Sequence, residues 1–69
     1  MTFTDPRLIT LLCVVKEGGY TAAARTLALS QPAVSYHIRG LEQELSIKIF
    51  YHNTKKLILT PEGKILVKY

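Results

Sequence analysis

Apolar residues recur at helical spacing three times along this chain, give way to a short β-prone stretch, and then resume helical spacing. The first stripe is Leu8, Leu11, Leu12 and Val15, an i, i+3, i+4, i+7 series. Asp5-Pro6 opens it, because a carboxylate accepts an orphan N–H while proline supplies a fixed φ where no donor is needed. Gly18-Gly19 closes it, so a helix is predicted from about Pro6 to Glu17. Cys13 and Val14 fall off the stripe and call for a second layer, for which the end of the chain is the candidate. The next stretch, Tyr20 to Leu29, predicts a short helix capped by Thr21 and running to about Ala28, with Tyr20 as a hydrophobic staple before the cap. Ala22, Ala23 and Ala24 leave room for another helix to approach closely.

The third stripe has two faces. Ser30 caps a helix with Pro32 in its first turn, where no intrahelical donor is lost. At about 100° per residue, Val34, Ile38, Leu41 and Leu45 share one side, and Pro32, Ser35, Tyr36, Arg39 and Gln43 share the other. The first side requires a core. The second carries hydroxyls, an amide, an aromatic ring and a guanidinium, groups that reach base edges and phosphates when a helix lies in a major groove. Two short helices joined by a turn of a few residues describe a helix-turn-helix over about residues 18–44, with the second helix, 31–44, as its recognition helix.

Ser46 is expected to end that helix, and the period then changes. Ile47 to Tyr51 and Lys56 to Leu59 are short β-prone runs separated by the polar cluster His52-Asn53-Thr54-Lys55. They predict a small hairpin over about 47–59 that carries basic residues at its tip. Thr60-Pro61 repeats the Asp5-Pro6 logic and starts a last helix, in which Ile65, Leu66 and Tyr69 begin an apolar face suited to a linker or a dimer contact. That face is cut off at Tyr69, so the chain reads as a piece of something longer, with residues 1–60 as one domain and 61–69 as the start of a linker helix. The fold class predicted is mainly α: three helices, a small hairpin wing and the first turns of a fourth helix.

Composition narrows the function classes. With 69 residues there is room for one domain with a thin core. An apolar fraction of 48% excludes a disordered chain, and no repeat or low-complexity run is present. Nine Lys and Arg against five Asp and Glu leave a net charge of +4, which favours a polyanionic partner. The cations are spread over the recognition helix, the wing and the last helix instead of lining one amphipathic helix, as a membrane-surface role would require. The start of the chain lacks an export signal, and no run of apolar residues is long enough for a membrane span.

Catalysis finds no support. His37 and His52 fall on different elements, the carboxylates are scattered, and there is neither a nucleophile motif nor a glycine-rich phosphate loop. The lone Cys13 offers no disulfide and no cysteine metal site, and it reads as a small hydrophobe in a helix contact. A reducing, cytoplasmic setting fits. The rival to DNA binding is a winged helix used only for protein contacts, since fold does not fix function.

The run Gly18-Gly19-Tyr20-Thr21-Ala22-Ala23-Ala24, Leu27, Ser30-Gln31-Pro32-Ala33-Val34-Ser35, Ile38, Leu41-Glu42, Leu45, Ile49-Phe50, Leu59-Thr60 and Gly63 resembles the N-terminal DNA-binding domain of LysR-type transcriptional regulators. The likeness covers almost the whole chain. It implies a winged helix-turn-helix that reads operator or promoter DNA, a linker helix pairing two subunits into a homodimer or, in the full-length protein, a tetramer, and a C-terminal domain that binds a small-molecule effector. That last domain is absent from the chain, and no cofactor is implied for this one. Carried over by position, the resemblance assigns base and backbone contacts to Gln31, Pro32, Ser35, Tyr36 and Arg39, and hydroxyls near phosphates to Thr21 and Ser30. It assigns the wing contact to His52, with Lys55 and Lys56 nearby, and its linker helix falls where Ile65, Leu66 and Tyr69 begin the apolar face suited to subunit pairing.

Four positions depart from the family pattern. Tyr36 stands where arginine is common and exchanges a guanidinium fork for a ring and a hydroxyl, suited to a thymine methyl. His52 also replaces a usual arginine and makes one wing charge dependent on pH near neutrality. Ser46 stands at a usual glycine, where a helix end favours φ > 0. Gly40 lies inside the recognition helix at a cost of about 1 kcal/mol relative to alanine; it is either simply tolerated or admits a neighbouring backbone.

Overall fold

Asp5 opens the first helix as the Asp-Pro pair predicts. In the computed structural model, which describes residues 5–51 and 57–68, the Asp5 carboxylate accepts the Arg7 backbone N–H at 2.9 Å. Helix α1 (Pro6–Glu17) then runs until Gly18 takes the left-handed conformation at φ 82° and its N–H returns to the Val14 carbonyl. The fully buried residues of α1 are Thr10, Leu11 and Val14; of the predicted stripe, Leu11 is buried, Leu8 and Val15 pack partly against the core, and Leu12 falls outside it. Leu12 is 51% exposed, while Val14 lies in the centre of the main core and needs no second layer. The pattern misleads here because Thr10 is polar yet buried. Its hydroxyl is satisfied by the Pro6 carbonyl at 2.9 Å and by His37 Nδ1 at 2.8 Å, so the core face rotates toward it.

Helix α2 (Tyr20–Leu27) begins two residues earlier than a Thr21 cap would set it. Gly19 is the N-cap, through its carbonyl, which accepts the Ala23 N–H at 3.2 Å; no side chain caps this end. Tyr20 is therefore inside the helix and is no staple. Its ring meets Phe50 edge-on, with centroids 6.0 Å apart. Ala23 and Ala24 are buried and let α2 lie close to α1 and α3, as their size predicts.

Helix α3 (Gln31–Leu45) starts on Ser30, whose hydroxyl accepts the Ala33 N–H at 3.2 Å. Val34, Ile38 and Leu41 are buried as their spacing predicts, but Leu45 in the last turn is 44% exposed. Glu42 takes the buried place instead. Its carboxylate accepts the Ile49 N–H at 2.8 Å, which removes the penalty of burying it unbonded. Gly40 admits no backbone. A Cβ there would rest 3.5 Å from Arg7 Cδ and Nη1, an ordinary side-chain contact.

Both the second and third helices end on a non-glycine residue in the left-handed region, Ala28 at φ 57° and Ser46 at φ 56°. Ser46 thus adopts the strained conformation that its glycine-like position implies. Replacing it with glycine is expected to raise stability by about 0.5–1 kcal/mol, read as a higher urea midpoint at unchanged slope. An unchanged or lower midpoint would show that the Ser46 backbone carries no strain.

The wing reduces to its base among the described residues. Phe50 and Leu59 form an antiparallel bridge, flanked by Tyr51 N–H to Ile58 carbonyl at 3.0 Å and Thr60 N–H to Ile49 carbonyl at 2.9 Å. Ile49 and Phe50 turn inward and complete the core with Leu11, Val14, Ala23, Ala24, Val34, Ile38 and Leu41. Helix α4 (Pro61–Lys68) follows, capped by the Thr60 hydroxyl, which accepts the Gly63 N–H at 3.0 Å. No helix among the described residues is long and apolar enough to cross a membrane.

Candidate nucleic-acid interface

The three helices that build the core pack pairwise, and this leaves the polar side of α3 facing outward. Gln31 and Pro32 are exposed in its first turn, Ser35 is half-buried one turn on, and Arg39 is exposed a turn further. Tyr36, at 77%, is the most exposed of the large hydrophobics among the described residues. A ring left so far from the core contributes little to folding, so its place on this face fits a contact to something outside the domain.

The ends of the helices add to this face. Ser30 caps α3 while its hydroxyl proton remains available, and Thr21 is exposed in the first turn of α2. Neither α2 nor α3 has an acidic residue in its first turn, so the partial positive charge of each N-terminus is not cancelled there. Thr21 serves no capping role, which leaves its hydroxyl to solvent or a ligand.

The acidic side chains near α3 are engaged elsewhere. Glu44 and Asp5 both pair with Arg7, at 3.0 Å and 2.8 Å, which ties the last turn of α3 to the start of α1. Glu42 is turned inward to the wing base. Side-chain and backbone bonds from Arg7 hold the Asp5 carboxyl below the usual carboxylate range, and the same pairing pushes the Arg7 guanidinium up. Because the folded value is depressed, this stabilisation is present above the unfolded carboxylate value, near pH ~4, and is lost as pH falls through the folded one. Asp5→Asn keeps a capping oxygen but no charge, and is expected to lose less stability than the parent chain on acidification below about pH 4. Parallel denaturation midpoints in both proteins would overturn that assignment.

Burial raises the Tyr20 phenol, with Glu42 adding to the rise and Arg39 opposing it. The Thr10–His37 bond, the Arg7 ion pairs and the inward Glu42 were not singled out by apolar spacing. The only hint of Glu42 in the chain is its place in the Leu41-Glu42 pair. His52, Lys55 and Lys56, the expected wing contacts, lie outside the described residues, as does Tyr69. Of the residues expected to pair subunits, Ile65 is exposed, whereas Leu66 packs partly against the core of its own domain.

The family model for the bacterial regulatory helix-turn-helix proteins of the LysR family matches residues 7–64. A probable RuBisCO transcriptional regulator from Gracilaria tenuistipitata var. liui is 42% identical over 69 residues, which is 100% of this chain and 22% of that protein. The chain thus spans about a fifth of the length of the curated relatives it matches. Among solved structures, the BenM DNA-binding domain in complex with catB site 1 DNA superposes with a TM-score of 0.88 at 34% identity, covering 93% of this chain and 69% of that one. Full-length LysG from Corynebacterium glutamicum with bound effector Arg gives 0.81 at 30% identity, covering 91% of this chain and 21% of that one. The helices, the wing base and the outward polar face of α3 are thus those of a known regulator architecture, and the chain belongs to the LysR family of bacterial regulatory helix-turn-helix proteins.

Proposed function

We propose that this chain is the sequence-specific double-stranded DNA-binding head of a transcriptional regulator that acts as a dimer, with α3 in the major groove and the wing on the phosphate backbone. The observation that carries this reading is the exposed series Gln31, Pro32, Tyr36 and Arg39 with half-buried Ser35, on one side of a helix whose other side is the core. Its similarity to the BenM domain bound to DNA supports the same placement. Gln31, Ser35 and Arg39 read base edges, Pro32 and Tyr36 contact thymine methyls and sugars, and Thr21 and Ser30 hold phosphates. His52, Lys55 and Lys56 supply the wing contacts. Ile65, Leu66 and Tyr69 belong to the pairing face of α4, with Ile65 as the side chain most open to a partner. A larger C-terminal domain binding a small-molecule effector would complete the regulator, which would work in the cytoplasm as a dimer or tetramer.

Selection of bound sites from random duplex DNA tests this directly. It should return a short half-site repeated with two-fold symmetry at roughly one helical turn, ~34–36 Å, or a multiple of it. Enrichment of no sequence, together with an absence of salt-dependent binding, would favour the protein-contact use of the fold. Lys55→Ala should weaken binding to all duplexes alike and reduce the slope of log affinity against log salt by about one unit. An unchanged slope would remove Lys55 from the phosphate contacts.

A further inference from the structure

Three elements converge on the backbone of Ile49 at the base of the wing. The Ile49 N–H is bound by the Glu42 carboxylate of α3 at 2.8 Å. The Ile49 carbonyl is bound by the Thr60 N–H at 2.9 Å, and the Thr60 hydroxyl lies between that oxygen, at 3.3 Å, and the Lys48 carbonyl. The same hydroxyl accepts the Gly63 N–H at 3.0 Å and so caps α4. Gly63 itself lies so close that a Cβ there would overlap the Ile49 carbonyl oxygen. Ile49 and Thr60 are both buried, at 0% and 4% exposure, so water cannot substitute for these bonds.

Glu42 is the telling member. A carboxylate on a helix meant for a polyanion is best placed far from it, and an exposed polar residue there would cost nothing. Its 8% exposure and its bond to a backbone amide seven residues on indicate that it holds α3 to the first arm of the wing, which the Thr60 N–H in turn ties to the start of α4. We propose that Glu42 and Thr60 are positioning residues that fix the direction of α4 relative to the recognition helix, and thereby the spacing and phase of the two half-sites that a paired regulator can bind. Neither touches DNA. Each acts through the Ile49 peptide, which becomes the joint by which a displacement of α4 is transmitted to α3. This rests on the proposed reading that α4 pairs two copies.

The test compares Glu42→Met and Thr60→Val, which remove the acceptor and the hydroxyl, with Glu42→Gln and Thr60→Ser, which keep them. Binding of the full chain is measured on duplexes carrying one half-site, and on duplexes carrying two half-sites moved apart by successive base pairs. The disrupting variants should discriminate a single half-site from scrambled DNA within about twofold of the parent, because α3 keeps its reading face. Their preference for the native spacing, roughly tenfold or more in the parent, should fall to within about threefold. The conservative variants should restore it. Loss of single-site discrimination in step with two-site affinity would overturn the proposal by assigning both residues to fold maintenance, and so would a retained spacing preference in both disrupting variants. Spin labels at Gln43 and Lys64 in a Cys13→Ser background separate the joint from the pairing. A distance distribution no broader in Thr60→Val and Glu42→Met than in the parent overturns the joint. Broadening in those variants, with no spacing preference in the parent, supports the joint and overturns the pairing reading alone.

Discussion

Replacing Gly63 with alanine is expected to lower the melting temperature of the domain by roughly 8–16 °C. The added Cβ would overlap the Ile49 carbonyl oxygen and lie 3.1 Å from both the Ile49 carbonyl carbon and Leu59 Cδ2. The leucine end can move, but the carbonyl cannot do so freely, because the Thr60 N–H holds it at 2.9 Å and Ile49 is wholly buried. Overpacking of this kind costs about 1–3 kcal/mol or more, and exceeds the ~1 kcal/mol that alanine gains over glycine inside a helix. For a domain of this size each kcal/mol corresponds to roughly 4–8 °C. Gly40→Ala is the matched control. Its Cβ meets only the flexible Arg7 side chain at 3.5 Å, so the helix gain should prevail and the melting temperature should rise by a few degrees. A Gly63→Ala chain as stable as the parent would mean that α4 yields at its start, and the tight joint at Ile49 would then have no mechanical consequence.

The contrast between these two glycines shows what the chain discloses and what it withholds. Caps are legible because they are local: Asp5 with Pro6 and Ser30 with Pro32 each place an oxygen beside a nearby N–H, and both bond as the residue types predict. The two-faced character of α3 is legible for the same reason, since spacing alone separates Val34, Ile38 and Leu41 from Pro32, Tyr36 and Arg39. The remainder depends on partners far along the chain. Thr10 is buried only because His37 and Pro6 satisfy it, and that shifts the core face of α1 from Leu12 to Val14. Glu42 takes a buried place while Leu45 stays exposed because the Glu42 carboxylate accepts the Ile49 N–H. Thr21 is not the cap because Gly19 holds that place, its carbonyl accepting the Ala23 N–H. Each difference is a polar group whose burial or idleness is decided by a contact that apolar spacing does not encode.

Gln31→Ala and Ser35→Ala should each weaken binding to the selected duplex by ~1–3 kcal/mol, roughly 5–150-fold, and leave binding to scrambled duplex within about twofold of the parent. The asymmetry follows from where the side chains stand. Gln31 is exposed at the start of α3, where its amide can pair with an adenine edge, and Ser35 is half-buried one turn on, short enough to let the helix approach the bases. Neither carries charge, so neither contributes to the counterion release that dominates nonspecific affinity. Their loss is therefore concentrated in base reading, and the salt slope should stay unchanged in both variants. Arg39 differs because a guanidinium can serve either a guanine or a phosphate, and the salt slope of Arg39→Ala is expected to tell these apart. Tyr36 places an exposed uncharged ring on the same face, so base discrimination by this helix is expected to rest on hydrogen bonds and shape more than on charge. Equal losses on selected and scrambled DNA for Gln31→Ala and Ser35→Ala would place both residues on the backbone and move base reading elsewhere on α3.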